Sequence, residues 1–148
     1  MSDDTETSPA KRKPVATAKP VAGRCLCGAV TYECGSPVIA PSLCHCESCR
    51  RASGAHAVAW ATVPRDSFRI TAGSARSYAS SPPVTRQFCE QCGTPLTYSN
   101  VHWPDTIDIT IATLDQPNAI TPTEHIWMED ALSWDRPQDG LSQYPRGR

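Results

Sequence analysis

The chain lacks an excess of either charge: its 14 Lys and Arg stand against 15 Asp and Glu, a net of −1. So balanced a surface exerts no general pull on nucleic acid or on an anionic membrane, and nucleic acid is not an expected partner. No apolar run approaches the roughly 20 residues a membrane-spanning helix needs, so no membrane partner is expected either. Residues 1–20 contain no apolar stretch of the kind a secretory leader carries, and the expected location is cytoplasmic. Those residues are mostly Ser, Thr, Pro, Lys and Asp, too polar to offset the entropy of ordering, and are expected to form a disordered arm. Within it Lys11-Arg12-Lys13 reads as a solvated basic cluster, a localisation signal or phosphate contact being the alternative. Long helical periodicity is also missing, and no segment repeats.

What the chain does have is cysteine and proline, 8 and 14 residues respectively. Without a secretion signal, cysteines are expected to be reduced and to serve as metal or catalytic sulfur. The prolines punctuate short segments of β pattern: Ala29–Glu33, His56–Val63, Phe68–Thr71, Ala75–Tyr78, Thr85–Phe88, Leu96–Ser99, Thr106–Leu114 and His125–Met128. In Thr106–Leu114 the alternation is cleanest, with Ile107, Ile109 and Ile111 on one face and Asp108 and Thr110 on the other. Only Glu47–Ala52 reads as a helical turn. The expectation is an all-β domain over residues 21–148, a mixed sheet or sandwich with short helical turns.

All the cysteines except Cys34 fall into three clusters: Cys25-x-Cys27-Gly28, Cys44-x-Cys46-x-x-Cys49 and Cys89-x-x-Cys92-Gly93. Thiols this close in sequence have poor geometry for pairing with each other as disulfides, but they can converge on one ion. Thiolate is soft and suits zinc in a tetrahedral site. The two outer pairs together supply four ligands, Cys25, Cys27, Cys89 and Cys92, enough for a closed structural site. The central cluster supplies three, Cys44, Cys46 and Cys49, which leaves a fourth position open, as in a catalytic site. A second structural zinc closed by His45, water or Cys34 is the alternative. Two zinc ions per chain are therefore expected.

Around the central cluster, Arg50 is a possible substrate contact and Arg51 a second one, for a carboxylate or for the site's own negative charge. His45 reads as a solvent-facing spacer between two ligands. Cys34 reads as a small buried residue. His102-Trp103-Pro104-Asp105 reads as a loop that either lines a pocket or simply packs, and His125, Trp127 and Trp134 read as core.

The run Gly23-x-Cys25-x-Cys27-Gly28-Ala29-Val30-x-Tyr32, then Cys44-His45-Cys46-x-x-Cys49-Arg50-x-x-x-Gly54-Ala55, then Phe88-Cys89-x-x-Cys92-Gly93-Thr94-x-Leu96 resembles the glutathione-dependent formaldehyde-activating enzyme family. That family shares its domain with centromere protein V. Asp108-x-Thr110-x-Ala112-x-Leu114, His125-Ile126-Trp127 and Trp134 also fit the resemblance, which covers about residues 21 to 145. It implies an Mss4-like fold, a structural zinc on Cys25, Cys27, Cys89 and Cys92, and a catalytic zinc on Cys44, Cys46 and Cys49. It further implies glutathione and formaldehyde as small-molecule partners, joined as S-hydroxymethylglutathione by a carbon–sulfur lyase running in the direction of addition. Arg50, Arg51, Arg69, Arg76 and Arg86 are all candidates to meet the glutathione carboxylates. A non-catalytic zinc-stabilised binding module of the same family is the second reading. A sulfur redox enzyme is the third, weakened because no cysteine follows Cys92.

Overall fold

A computed structural model describes residues 14–15, 20–35 and 37–147. In chain order the strands and the α-helix are β1 (Pro14–Val15), β2 (Val21–Arg24), β3 (Thr31–Cys34), β4 (Val38–Cys44), α1 (Glu47–Ser53), β5 (Val58–Pro64), β6 (Phe68–Ala72), β7 (Ala75–Ser81), β8 (Val84–Cys89), β9 (Pro95–Asn100), β10 (Thr106–Thr110), β11 (Glu124–Ile126) and β12 (Ser142–Gln143). Single 3₁₀ turns sit at Arg65–Ser67, Ile111–Thr113, Pro117–Ala119 and Met128–Asp130. The protein is mostly β, as expected. Of the arm read over residues 1–20, only β1 and Pro20 are among the described residues, and Lys11-Arg12-Lys13 lies outside them.

The strands form two sheets. The larger runs in the order β12-β11-β4-β5-β10-β9-β8-β7, with β1 paired onto β4, and the smaller is β2-β3-β6. Pairing is antiparallel except at β11, which lies parallel to both β4 and β12, so the large sheet is mixed. The main core lies where Tyr32 of the small sheet, with Val30 just before β3, meets Ala61, Val63, Leu96, Ile107 and Ile109 of the large one. Gly23 permits one close approach. A Cβ there would stand 2.4 Å from the Tyr32 ring and 2.7 Å from the Thr113 carbonyl oxygen, so only glycine lets β2 lie against both.

β4 has no counterpart in the sequence reading, because Pro41 interrupts its pattern and proline is disfavoured in a central strand. The strand accommodates it with a bulge between Ile39 and Ser42, where Ala40 takes a left-handed φ of 47°. The freed Pro41 carbonyl accepts the Thr123 N–H at 2.9 Å. Thr106–Leu114 is likewise not one continuous strand. Its extended part ends at Thr110, whose side-chain oxygen turns inward to bond the Pro95 carbonyl at 3.0 Å, and a 3₁₀ turn follows. The alternation of Ile107, Ile109 and Ile111 survives, all three being buried.

Candidate functional site

The cysteine clusters gather at two places. Cys25 and Cys27 occupy the β2–β3 turn of the small sheet, and Cys89 and Cys92 the β8–β9 turn of the large one. The two turns share a pattern: Cys25 N–H bonds the Val30 carbonyl at 3.0 Å and Gly28 N–H the Cys25 carbonyl at 3.1 Å. Likewise Cys89 N–H bonds the Thr94 carbonyl at 3.0 Å and Gly93 N–H the Cys89 carbonyl at 2.8 Å. Gly28 and Gly93 adopt φ of 80° and 78°, which closes each turn and aims its sulfurs inward. All four sulfurs lie within 4.8 Å of one another. Cys25 Sγ stands 3.6 Å from Cys27 Sγ, which stands 3.8 Å from Cys89 Sγ. A tetrahedral zinc with sulfurs at about 2.3 Å has edges of about 3.8 Å, so this donor set fits such an ion. Backbone and hydroxyl donors prepare it for anionic sulfur. Val30 N–H donates to Cys25 Sγ at 3.3 Å. The Thr94 hydroxyl, ahead of backbone donors, draws the Cys92 thiol down to about 5.

The second set comprises Cys44 at the end of β4, Cys46, and Cys49 in α1, with sulfurs again within 4.8 Å of one another. α1 makes the cluster geometrically possible. Cys46 is its N-cap, and its sulfur accepts the Cys49 N–H at 3.3 Å, so ligand spacing and helix initiation are one feature. Gly54, with φ of 70°, ends the helix after two turns by returning its N–H to the Arg50 carbonyl at 2.9 Å. The three thiols share charge. Hydrogen bonding with Cys44 and Cys46, reinforced by the Arg86 guanidinium, holds Cys49 well below the ordinary thiol range. The same sulfur contacts, and then burial, push Cys44 well above it. Three sulfurs thus compete for negative charge, which is the electrostatic condition a cation relieves.

Neither alternative fourth ligand is placed to close the set. Cys34 is buried in the main core, on β3, and burial pushes its thiol up to about 11. His45 is not the solvent-facing spacer expected. It is 1% exposed. With Cys44 and Cys46 turned to one side, the intervening side chain turns to the other, and the C-terminal segment covers that side. His45 Nε2 shares a 2.9 Å hydrogen bond with His125 Nδ1, and His125 Nε2 lies 2.9 Å from Asp139 Oδ2. His45 Nδ1 stands 3.2 Å from Asp135 Oδ2, which also accepts His56 Nδ1 at 2.7 Å. Burial keeps His45 below the usual imidazole range against the pull of Asp135. Among the described residues, no fourth His, Cys, Asp or Glu joins the three sulfurs.

Around the three sulfurs lies an apolar cluster of Val58, Trp60, Ile126 and Trp127, with Tyr98 and Tyr144 packed against it. Trp127 is buried as expected, but it takes the left-handed conformation at φ 60°, ψ 40°, uncommon for so bulky a side chain, and this turns the chain out of β11. Trp134 is not core. It is 72% exposed and lies against the His56 ring at 6.0 Å between centroids, on the outer side of the C-terminal segment. Arg51 faces solvent and pairs with Glu47 at 2.8 Å. Arg50 is partly buried, and its Nε lacks a partner. The His102–Asp105 loop lies away from the sulfurs. It bonds the Arg65–Ser67 turn beyond Pro64, at the end of β5 opposite the Val58–Cys44 pair. An open groove lined by Arg24, Leu26, Thr94 and Asp115 adjoins the four-cysteine set rather than the three-cysteine one.

Sequence reasoning missed Asp135 and Asp139, which the C-terminal segment brings to the site, His56, which sits just before β5 and pairs with Asp135, and the Trp60–Tyr98 wall. The signal for the latter was the register. Tyr98 faces Asp108 across β9–β10, Asp108 faces Thr62 across β10–β5, and Trp60 is two residues from Thr62, so these side chains share one face.

The family model of glutathione-dependent formaldehyde-activating enzyme matches residues 20–130. A Rhodobacter sphaeroides protein of known crystal structure superposes with a TM-score of 0.55 at 21% identity, over 83% of this chain and 98% of that one. That likeness supports the fold. No curated protein matches the chain.

Proposed function

The chain belongs to the glutathione-dependent formaldehyde-activating enzyme family, and from that premise we propose that it is a zinc-dependent carbon–sulfur lyase that adds a thiol, glutathione, to formaldehyde or another small aldehyde. Cys25, Cys27, Cys89 and Cys92 hold a structural zinc, and Cys44, Cys46 and Cys49 hold a catalytic one. The observation that carries this reading is the three-sulfur set itself, which has no fourth donor among the described residues and is packed within an aromatic cluster. Zinc bound there supplies a position at which a thiol is held as thiolate at neutral pH.

The chain's own residues supply the rest. Trp60, Tyr98, Trp127 and Tyr144 pack beside the sulfurs and limit water at the reacting sulfur. α1 fixes Cys46 and Cys49 relative to each other, so the three donors do not reorganise as the thiol arrives. His45, His125, Asp135 and Asp139 lock the C-terminal segment against the back of the site. In the reaction the thiol loses its proton, the sulfur forms a bond to the carbonyl carbon, and the carbonyl oxygen takes a proton to become the hydroxyl. The reverse breaks the carbon–sulfur bond, and neither direction needs an oxidant or reductant. None of the eight cysteines is paired in a disulfide, which leaves their sulfurs available as metal ligands.

The test is metal analysis of freshly purified protein alongside adduct formation from glutathione and formaldehyde, followed by NMR. Two zinc ions per chain, one protected from a mild chelator by glutathione, and turnover above the spontaneous rate that Cys46→Ser abolishes, are the expected results. Metal indifferent to glutathione, with no turnover, would instead identify a zinc-stabilised binding module.

A further inference from the structure

Five arginines were open candidates for meeting an anionic substrate, and the structure separates them. Arg51, Arg69 and Arg76 point to solvent and are engaged with Glu47, Glu33 and Glu90. Arg50 is partly buried with an Nε that lacks a partner, and Arg86 is the one of the five with hydrogen bonds to a sulfur: Nη1 and Nη2 each donate toward Cys49 Sγ at 3.7 Å. Two further contacts hold it there. Its Nε donates to Ser80 Oγ at 3.2 Å, and its guanidinium carbon lies 5.1 Å from the centre of the Tyr98 ring. Arg86 faces Tyr98 directly across β8–β9, so the cation and the ring that carries it are fixed by strand register rather than by a loop. It is only partly buried, which leaves N–H groups for a ligand.

The geometry points to Arg86 as the residue that lets the three-cysteine site accept an anionic sulfur from a thiol substrate, which rests on the open-site reading above. The argument is one of charge. A divalent ion on three thiolates carries a net charge of −1, and a fourth, substrate thiolate raises the negative charge by one unit. In a site walled by Trp60 and Tyr98 that extra charge is poorly screened. A guanidinium in hydrogen-bond contact with one of the three sulfurs offsets it, and it does so without protonation at any working pH. Arg86 is thus a positioning residue for the incoming anion, acting beside Cys49 rather than on the aldehyde.

The experiment uses the full chain loaded with cobalt(II), titrated with glutathione, and follows the sulfur-to-cobalt charge-transfer absorption that appears when a further thiolate joins the ion. Arg86→Gln, Arg86→Lys and, as a control for net charge, Arg69→Gln on the other sheet are compared with the parent chain. The expected result is that Arg86→Gln keeps two metals per chain and an unchanged melting temperature but binds glutathione about tenfold or more weakly. Arg86→Lys recovers at least half of the loss on a logarithmic scale, and Arg69→Gln matches the parent. If the parent binds glutathione at cobalt and Arg86→Gln binds it equally well, the role of Arg86 is overturned while the open site stands. A parent chain with no thiol-dependent absorption overturns both. Should Arg86→Gln lose its second metal, Arg86→Lys decides: loaded and within about threefold of the parent supports the charge argument, and loaded but as weak as about a hundredfold overturns it.

Discussion

Asp135 shows how a single side chain can organise a site from behind. Its Oδ2 lies 2.7 Å from His56 Nδ1 and 3.2 Å from His45 Nδ1, and His45 is buried between two of the proposed ligands. The hydrogen bond from His56, with burial opposing it, holds the Asp135 carboxyl below the usual carboxylate range. Asp135→Asn keeps the size but removes the charge and one acceptor, leaving a buried imidazole nitrogen without its anion. The expected loss is about 1–3 kcal/mol in urea unfolding. A carboxyl whose folded pKa is depressed stabilises fully above its unfolded value, about 3.9, and loses that contribution as pH falls through the folded value. The gap between parent and variant is therefore constant from pH 5 to 8 and closes below about pH 4. A gap that instead vanishes near pH 6.5 would assign the effect to a histidine. Gly73 is a second sensitive position: it has φ of 71°, and a Cβ there would stand 2.0 Å from the Ala29 carbonyl oxygen, whereas one at Gly54, φ 70°, meets nothing within 4 Å. Gly73→Ala should cost well over the about 1 kcal/mol expected of Gly54→Ala, because it adds a backbone clash to the same φ penalty. Thermal unfolding of the two variants checks this.

At the scale of elements, α1 joins the three-cysteine set to local structure. Its N-cap is a sulfur, Glu47 sits in its first turn and Arg50 and Arg51 in its last, so charge and cap both favour a helix too short to persist alone. Serine is itself a good N-cap. Cys46→Ser should therefore lose the second metal yet keep the helix, while Cys46→Ala loses both and is less stable than Cys46→Ser by about 0.5–2 kcal/mol. Comparing the two variants under chelation isolates the cap from the ion; equal stability would mean that the sulfur caps nothing. What the sequence made legible at this scale follows the same division between local and distant. Cysteine spacing, glycine turns and the isoleucine alternation of β10 are local, and the clusters assemble where their spacing placed them. β4 was hidden by Pro41, whose cost is met by a bulge and by Thr123 from far along the chain. The inward turn of His45 was hidden for a related reason: its neighbours in sequence are the thiols, but its partners are His125, on a strand whose parallel pairing with β4 no local pattern announces, and Asp135, in the segment beyond that strand. Trp134 misled because a tryptophan suggests core, and here it lies outside the segment that does the covering.

For the whole molecule, the two cysteine sets stand in different relations to the fold. The four-cysteine set joins a turn of the small sheet to a turn of the large one, clipping β2–β3 to β8–β9 across a long stretch of chain. An ion held there would close the loop between the sheets, and its binding energy would be folding energy. The three-cysteine set joins β4 only to the helix that follows it, a local link that the main core does not depend on. Metal removal should therefore proceed in two distinguishable steps. A mild chelator takes the ion from Cys44, Cys46 and Cys49 first, abolishing adduct formation while far-ultraviolet circular dichroism and the melting temperature change little. A strong chelator then takes the ion from Cys25, Cys27, Cys89 and Cys92, and the cooperative transition collapses with it. Cys89→Ser should mimic the second step from the outset, with a melting temperature lowered by ten degrees or more, on the order of 3–5 kcal/mol at about 2–4 °C per kcal/mol for a domain of this size. Mass spectrometry under native conditions counts the ions as circular dichroism follows the fold. Loss of both ions in one step together with the structure would show that the three-cysteine set, too, holds the fold together, and that its open position is bounded by a more rigid frame than α1 and β4 provide.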